Sequence, residues 1–113
     1  MPGPLARQLT GITVREAKNL AEKEFDRLGF KRRDIMPYTG SQKADNILAK
    51  YMGRMVEYYV PGIVESELYK QLNNPQKEIL LKEELKKMRS TARVYAYGEN
   101  QEPVSYTHLR AHE

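Results

Sequence analysis

The sequence contains no cysteine, and its two histidines, His108 and His112, stand close to its end. Without cysteine the chain forms no disulfide, builds no thiolate metal centre and offers no thiol nucleophile. Without an earlier histidine, the commonest general base near neutral pH and the commonest metal ligand are missing from nearly the whole chain. Long apolar runs are absent too. Tyr58–Val64 is broken by Pro61-Gly62 and falls far short of the about 20 residues that a membrane-spanning helix requires. Met1–Arg7 lacks the apolar core of a signal peptide. These absences exclude thiol chemistry and argue against secretion and membrane insertion.

What is present is a chain of 113 residues, 40% hydrophobic and 30% charged, with a net charge of +4. That is one small domain, too polar for a membrane protein and too apolar for a wholly disordered one.

The last ten residues, Val104-Ser105-Tyr106-Thr107-His108-Leu109-Arg110-Ala111-His112-Glu113, resemble a translated transposon-end sequencing adaptor at every position. The resemblance implies that 104–113 is a non-native tail and that the natural chain continues past Pro103. The alternative is a natural basic tail. His108 and His112 stand four apart, a spacing that on a helix can bind a metal, but the adaptor reading accounts for both. No metal and no cofactor is therefore expected. Arg110 and Glu113 cancel, so the net charge stays +4 without the tail.

Helical periodicity dominates the rest. Residues 1–12, with Pro2, Gly3, Pro4 and Gly11, form an irregular lead-in whose Leu5, Leu9 and Ile12 are available to dock. Thr13-Val14-Arg15-Glu16 is a capping box. Val14, Ala17, Leu20, Ala21, Phe25 and Leu28 then share one face, and Gly29 supplies a left-handed stop. The first helix is predicted over 14–28. Phe30–Gly40 is a linker folded back on the helices, with a short turn at Arg32–Ile35, and Pro37 forbids helix through Met36.

Thr39 or Ser41 starts the second helix. Its stripe of Ala44, Ile47, Leu48, Tyr51, Met52, Met55, Val56, Tyr59 and Val60 is wide enough for two neighbours. Gly53 suggests a close helix approach, and Pro61-Gly62 is expected to end or kink the helix. Ser66 caps a short helix, Glu67–Leu72. Asn74 as cap and Pro75 at the first helical position start the third long helix, from 75 to about 97, with Leu81, Leu85, Met88, Ala92 and Tyr95 as its seam. Gly98 is expected to stop it. Val94–Tyr97 has strand-like composition, but the periodicity before it favours a helix end.

The expected fold is all-α: three long amphipathic helices and one short one, bundle-like, in a fragment of a larger protein. Residues 13–98 form the helical domain and 99–103 an exit loop before the 104–113 tail.

Lys31-Arg32-Arg33 is the densest charge cluster, and Lys82, Lys86, Arg89 and Arg93 form a second basic row on the third helix. Either can meet phosphate. Each also reads as a solvated surface, given Asp34 beside the first and Glu78, Glu83 and Glu84 within the second. Ile47, Tyr51, Met52, Met55, Val56 and Tyr59 form a candidate interaction face, broader than two helices need. Tyr51, Tyr58, Tyr59, Tyr69, Tyr95 and Tyr97 offer rings on which bases stack, although their helical spacing equally suits half-buried packing. Asp26, Asp45, Glu57 and Glu65 are the carboxylates available to pair, but nothing in the sequence sets them in acid–base geometry. The Tyr38-Thr39-Gly40-Ser41 turn presents amides to an anion, yet capping alone explains it.

Thr13–Leu28, Met36–Gly40 ahead of Ala44-Asp45, Glu65-Ser66 with Tyr69, and Asn74–Arg93 resemble helical segments of very large phage-encoded virion or polyvalent proteins. The resemblance implies a structural or ejected virion component and transfers no site residues. The reading is a non-enzymatic structural or protein-interaction module of a larger phage or prophage protein, in the host cytoplasm or virion interior, with protein partners. The alternative is a small basic nucleic-acid-binding helical protein.

Overall fold

The computed structural model describes residues 11–36 and 38–99. The chain order is α1 (Val14–Leu28), α2 (Arg32–Ile35), α3 (Gln42–Val64), α4 (Glu67–Lys70) and α5 (Asn74–Glu99). The described residues contain no strand. The expected contacts of Leu5 and Leu9, the residues after Glu99, and His108 and His112 lie outside the described residues.

Local sequence sets α1 at both ends. The Glu16 amide donates to the Thr13 hydroxyl at 3.1 Å, and the Thr13 amide donates to the Glu16 carboxylate at 2.8 Å. At the other end Gly29 takes φ 82°. Its amide bonds to the Asp26 carbonyl and that of Phe30 to the Phe25 carbonyl. This paired return comes with a contact between the Phe25 and Phe30 rings, centroids 5.2 Å apart. The chain then makes the one turn of α2, where Asp34 accepts from the Lys31 amide at 2.7 Å. Met36 leaves it extended, as a residue before proline must.

Helix α3 is the hub, packing against α1 on one side and α5 on the other. Its wide stripe serves both neighbours. Leu48, Met52, Val56, Val60 and Ile63 are buried in a core shared with Ala21 and Phe25 of α1 and Leu81, Leu85, Met88 and Ala92 of α5.

Five expectations are corrected. Pro61-Gly62 does not end α3, which runs on to Val64. A proline inside a helix costs about 3 kcal/mol. Burying a valine or isoleucine gains roughly 1.5–3 kcal/mol, and Val60 and Ile63 are both fully buried around Pro61, so packing holds the turn that propensity would break. Helix α5 runs through Gly98 to Glu99. Gly98 is not among the left-handed glycines, and buried Ala96 anchors the last turn. The cap of α5 is Asn73, not Asn74: the Gln76 amide donates to the Asn73 side chain at 2.9 Å, and the Asn73 amide donates to Gln76 at 3.0 Å. The short helix α4 stops at Lys70 rather than Leu72, because the Leu72 amide turns back to the Tyr69 carbonyl. Gly53, in turn, permits no close approach. A Cβ there would meet nothing within 4 Å, and the residue instead lines an open groove between α1 and α3.

Candidate functional site

The turn of α2 sets Arg33 against the outer face of α5. Lys82, Lys86, Arg89 and Arg93 succeed one another at spacings of four, three and four along that helix, so they share one side of it. The two basic clusters therefore meet. Arg33 and these four residues of α5 line one open concavity of about 560 Å³, with Met36 and Tyr38 completing its wall. Asp34 and Glu83 also line it, which leaves five cations against two carboxylates.

Arg89 fastens the arrangement. Its guanidinium donates to the Asp34 backbone carbonyl at 3.1 Å and ties α5 to α2. Partial burial holds its pKa below the usual arginine range and the charge of Arg93 adds to that, while Asp34 opposes it. Two guanidinium groups are thus held close enough to repel, an arrangement that an anion would relieve. Lys82 is engaged differently. It pairs with Glu78 at 2.8 Å, which raises its pKa, and it stands 5.9 Å from the Phe30 ring centroid. Arg33, Lys86 and Arg93 form no ion pair among the described residues.

The other predicted cations lie elsewhere. Arg32 lines the groove between α1 and α3 and also the recess it shares with Tyr38, Gln42 and Asn46, and Lys31 is an exposed residue outside the concavity. Of the candidate interaction face, Met52 and Val56 are core residues, and Ile47, Tyr51, Met55 and Tyr59 pack against that core partly buried. Tyr51 meets Tyr95 with ring centroids 5.5 Å apart, and Tyr58 meets Tyr59 at 4.7 Å. Burial and the nearby Tyr58 and Tyr95 push the Tyr59 pKa up. Tyr51 and Tyr59 pack partly buried against the core, while Tyr58 and Tyr95 stay exposed.

Among the four carboxylates singled out, Asp45 accepts from the Thr39 amide and hydroxyl and Glu65 pairs with Lys70 at 3.6 Å. Asp26 and Glu57 line the α1–α3 groove. The Thr39 and Ser41 amides are already bonded, so the turn before α3 has a capping role. The carboxylates that sequence reasoning missed are the buried ones, Glu24 and Glu84. Glu24 forms a two-point ion pair with Arg27 (2.9 and 2.6 Å) and accepts from the buried Tyr69 hydroxyl. The Arg27 bonds are the main reason its pKa falls below the usual carboxylate range. A signal was present: Glu24 stands seven after Ala17 and four before Leu28, inside the apolar stripe of α1. The network joins α1, α4 and α5 through Arg27 and Asn74, 2.9 Å apart. Every buried side-chain polar atom among the described residues is satisfied, so its role is to hold the helices.

Among the described residues no cluster of three or more metal-ligating side chains occurs and no helix is long and apolar enough to cross a membrane. No family model matches the chain, and neither the curated proteins nor the solved structures yield a match.

Proposed function

We propose that this chain is a non-enzymatic helical module that binds nucleic acid by its phosphate backbone. The observation that carries the reading is the convergence of Arg33 with Lys86, Arg89 and Arg93 on one concavity. A solvated charged surface needs no such meeting of residues more than fifty positions apart. Three of these cations have no carboxylate partner among the described residues, and the fourth is desolvated beside a like charge. Each phosphate held by such a site releases counterions, so affinity should fall as salt rises.

The test is fluorescence anisotropy of the full chain with a labelled oligonucleotide across a salt series. Replacing Arg33, Lys86 and Arg93 by Ala should weaken binding and flatten the salt slope by about 0.7–0.9 for each phosphate no longer neutralised. The pair Lys31→Ala and Lys43→Ala, both exposed and outside the concavity, should change it little. Salt-independent binding, or equal effects from both sets, would refute the reading.

A second reading has its own support: a protein-interaction module, bundle-like, from a larger phage-encoded chain. Between α1 and α3 runs an open groove of about 400 Å³ floored by Phe25, Phe30, Ile35, Met36 and Val56. On this reading the isolated chain binds a hydrophobic dye at the groove and self-associates as its concentration rises. A monodisperse, dye-silent monomer would count against it.

A further inference from the structure

Tyr38 stands between two concavities. On one side is the cationic one, which it lines with Arg33, Arg89 and Arg93. On the other is a recess of about 370 Å³, where its neighbours include Gln42, Asp45, Asn46 and Ala49. Met36 lines both with it. The partition is thus an aromatic ring and a thioether, with the cations of α5 and Arg33 on one face and, on the other, the amides of Gln42 and Asn46, the Asp45 carboxylate and Arg32.

Tyr38 is 67% exposed, unlike Tyr51 and Tyr59 of α3, which are partly buried against the core. It sits just before the turn whose Thr39 is bonded to Asp45 through both amide and hydroxyl, at 2.7 and 2.8 Å. Those bonds fix the backbone beside it. An exposed aromatic on a fixed backbone, beside a cluster of cations, is the combination that single-strand binders use.

We infer that the site takes single-stranded nucleic acid, with Tyr38 as the platform on which one base stacks. The inference rests on the phosphate-binding reading above and deepens it. Phosphates lie along Arg33, Lys86 and Arg93. The base attached to them passes over Tyr38 and presents its edge to Asn46 and Gln42. Both kinds of hydrogen-bonding group are available from those two amides. A duplex meets the cations equally well, but its bases are stacked inside, and extracting one costs energy that a single strand does not spend. The ring therefore contributes to single-strand binding alone.

The sequence has no tryptophan, so Tyr38→Trp installs a unique reporter. The full chain is titrated with oligo(dT) and with a hairpin duplex of matched length. The expected results are preference for oligo(dT), quenching of the Tyr38→Trp emission by oligo(dT) and not by the duplex, and near-normal affinity in Tyr38→Phe. Tyr38→Ala should lose about 5- to 150-fold in oligo(dT) affinity with the duplex affinity unchanged. Circular dichroism confirms that each variant keeps its helices. If Tyr38→Ala weakens both probes alike, or neither, the stacking role is overturned while phosphate binding stands. If neither probe binds in a salt-dependent way, both proposals fall.

Discussion

The hydroxyl of Tyr69 donates to the carboxylate of Glu24, 45 residues earlier in the chain, and both side chains are buried. Arg27 donates to both Glu24 oxygens and shares Oε2 with the Tyr69 hydroxyl, and the Lys77 ammonium lies 5.3 Å from the Tyr69 ring centroid. One contact thus closes the end of the molecule where α1, α4 and the start of α5 meet.

Tyr69→Phe should destabilise the fold by about 1.5–3 kcal/mol, the usual worth of a hydrogen bond to a charged group. The ring's packing is kept, so the loss isolates the hydroxyl. Urea unfolding followed by circular dichroism checks it, and an unchanged midpoint would show that the bond contributes nothing.

The same pair sets a pH window. The fold holds Glu24 below its ordinary pKa of 4.5, chiefly through Arg27. Its contribution is present above 4.5 and is lost as pH falls through the lowered value. The fold holds Tyr69 above its ordinary value of 10.0, through burial first and Glu24 second. That contribution is complete below 10.0 and is lost as pH rises beyond it. Urea midpoints should therefore form a plateau between the two. Glu24→Gln should flatten the acid limb and Tyr69→Phe the alkaline one.

Asn73→Ala and Asn74→Ala should separate the cap from its neighbour. Asn73→Ala removes the side chain that accepts from the Gln76 amide and should cost about 1 kcal/mol. Asn74→Ala removes an exposed bond to Arg27 and should cost less. Thermal melts of the two variants decide it; a larger loss in Asn74→Ala would reverse the assignment.

Gly53→Ala should stabilise the protein by up to about 1 kcal/mol, because helix propensity improves and the added methyl meets nothing within 4 Å. Gly29→Ala should do the opposite. At φ 82° an alanine carries a left-handed strain of roughly 1–2 kcal/mol. Opposite shifts in melting temperature are the expected outcome.

Much of the architecture was legible in the residues. Thr13 and Glu16, Gly29, Ser41 and Ser66 each act on amides or carbonyls within a few positions, so adjacent sequence determined where α1 ends and where α1, α3 and α4 begin. The Asn73–Gln76 spacing was equally readable, although Asn74-Pro75 beside it is the more conspicuous start signal. The basic rows were visible as rows. Glu24 was visible as a polar residue in an apolar stripe, but its partner was not.

Tertiary structure decided the rest. Pro61 and Gly98 are helix breakers by local rules, and they stay helical because Val60, Ile63 and Ala96 are buried against other elements. Whether α3 had apolar surface to spare depended on α1 and α5 both claiming it. The candidate site is the clearest instance. Sequence alone supplied Arg33 and the α5 cations as separate solvated surfaces. Their meeting required the Gly29 turn, the single turn of α2 and the bond from Arg89 to the Asp34 carbonyl, 55 positions away. Local sequence fixes hydrogen bonds that close within a few residues. A site built from distant residues exists only once the core has set the path of the chain.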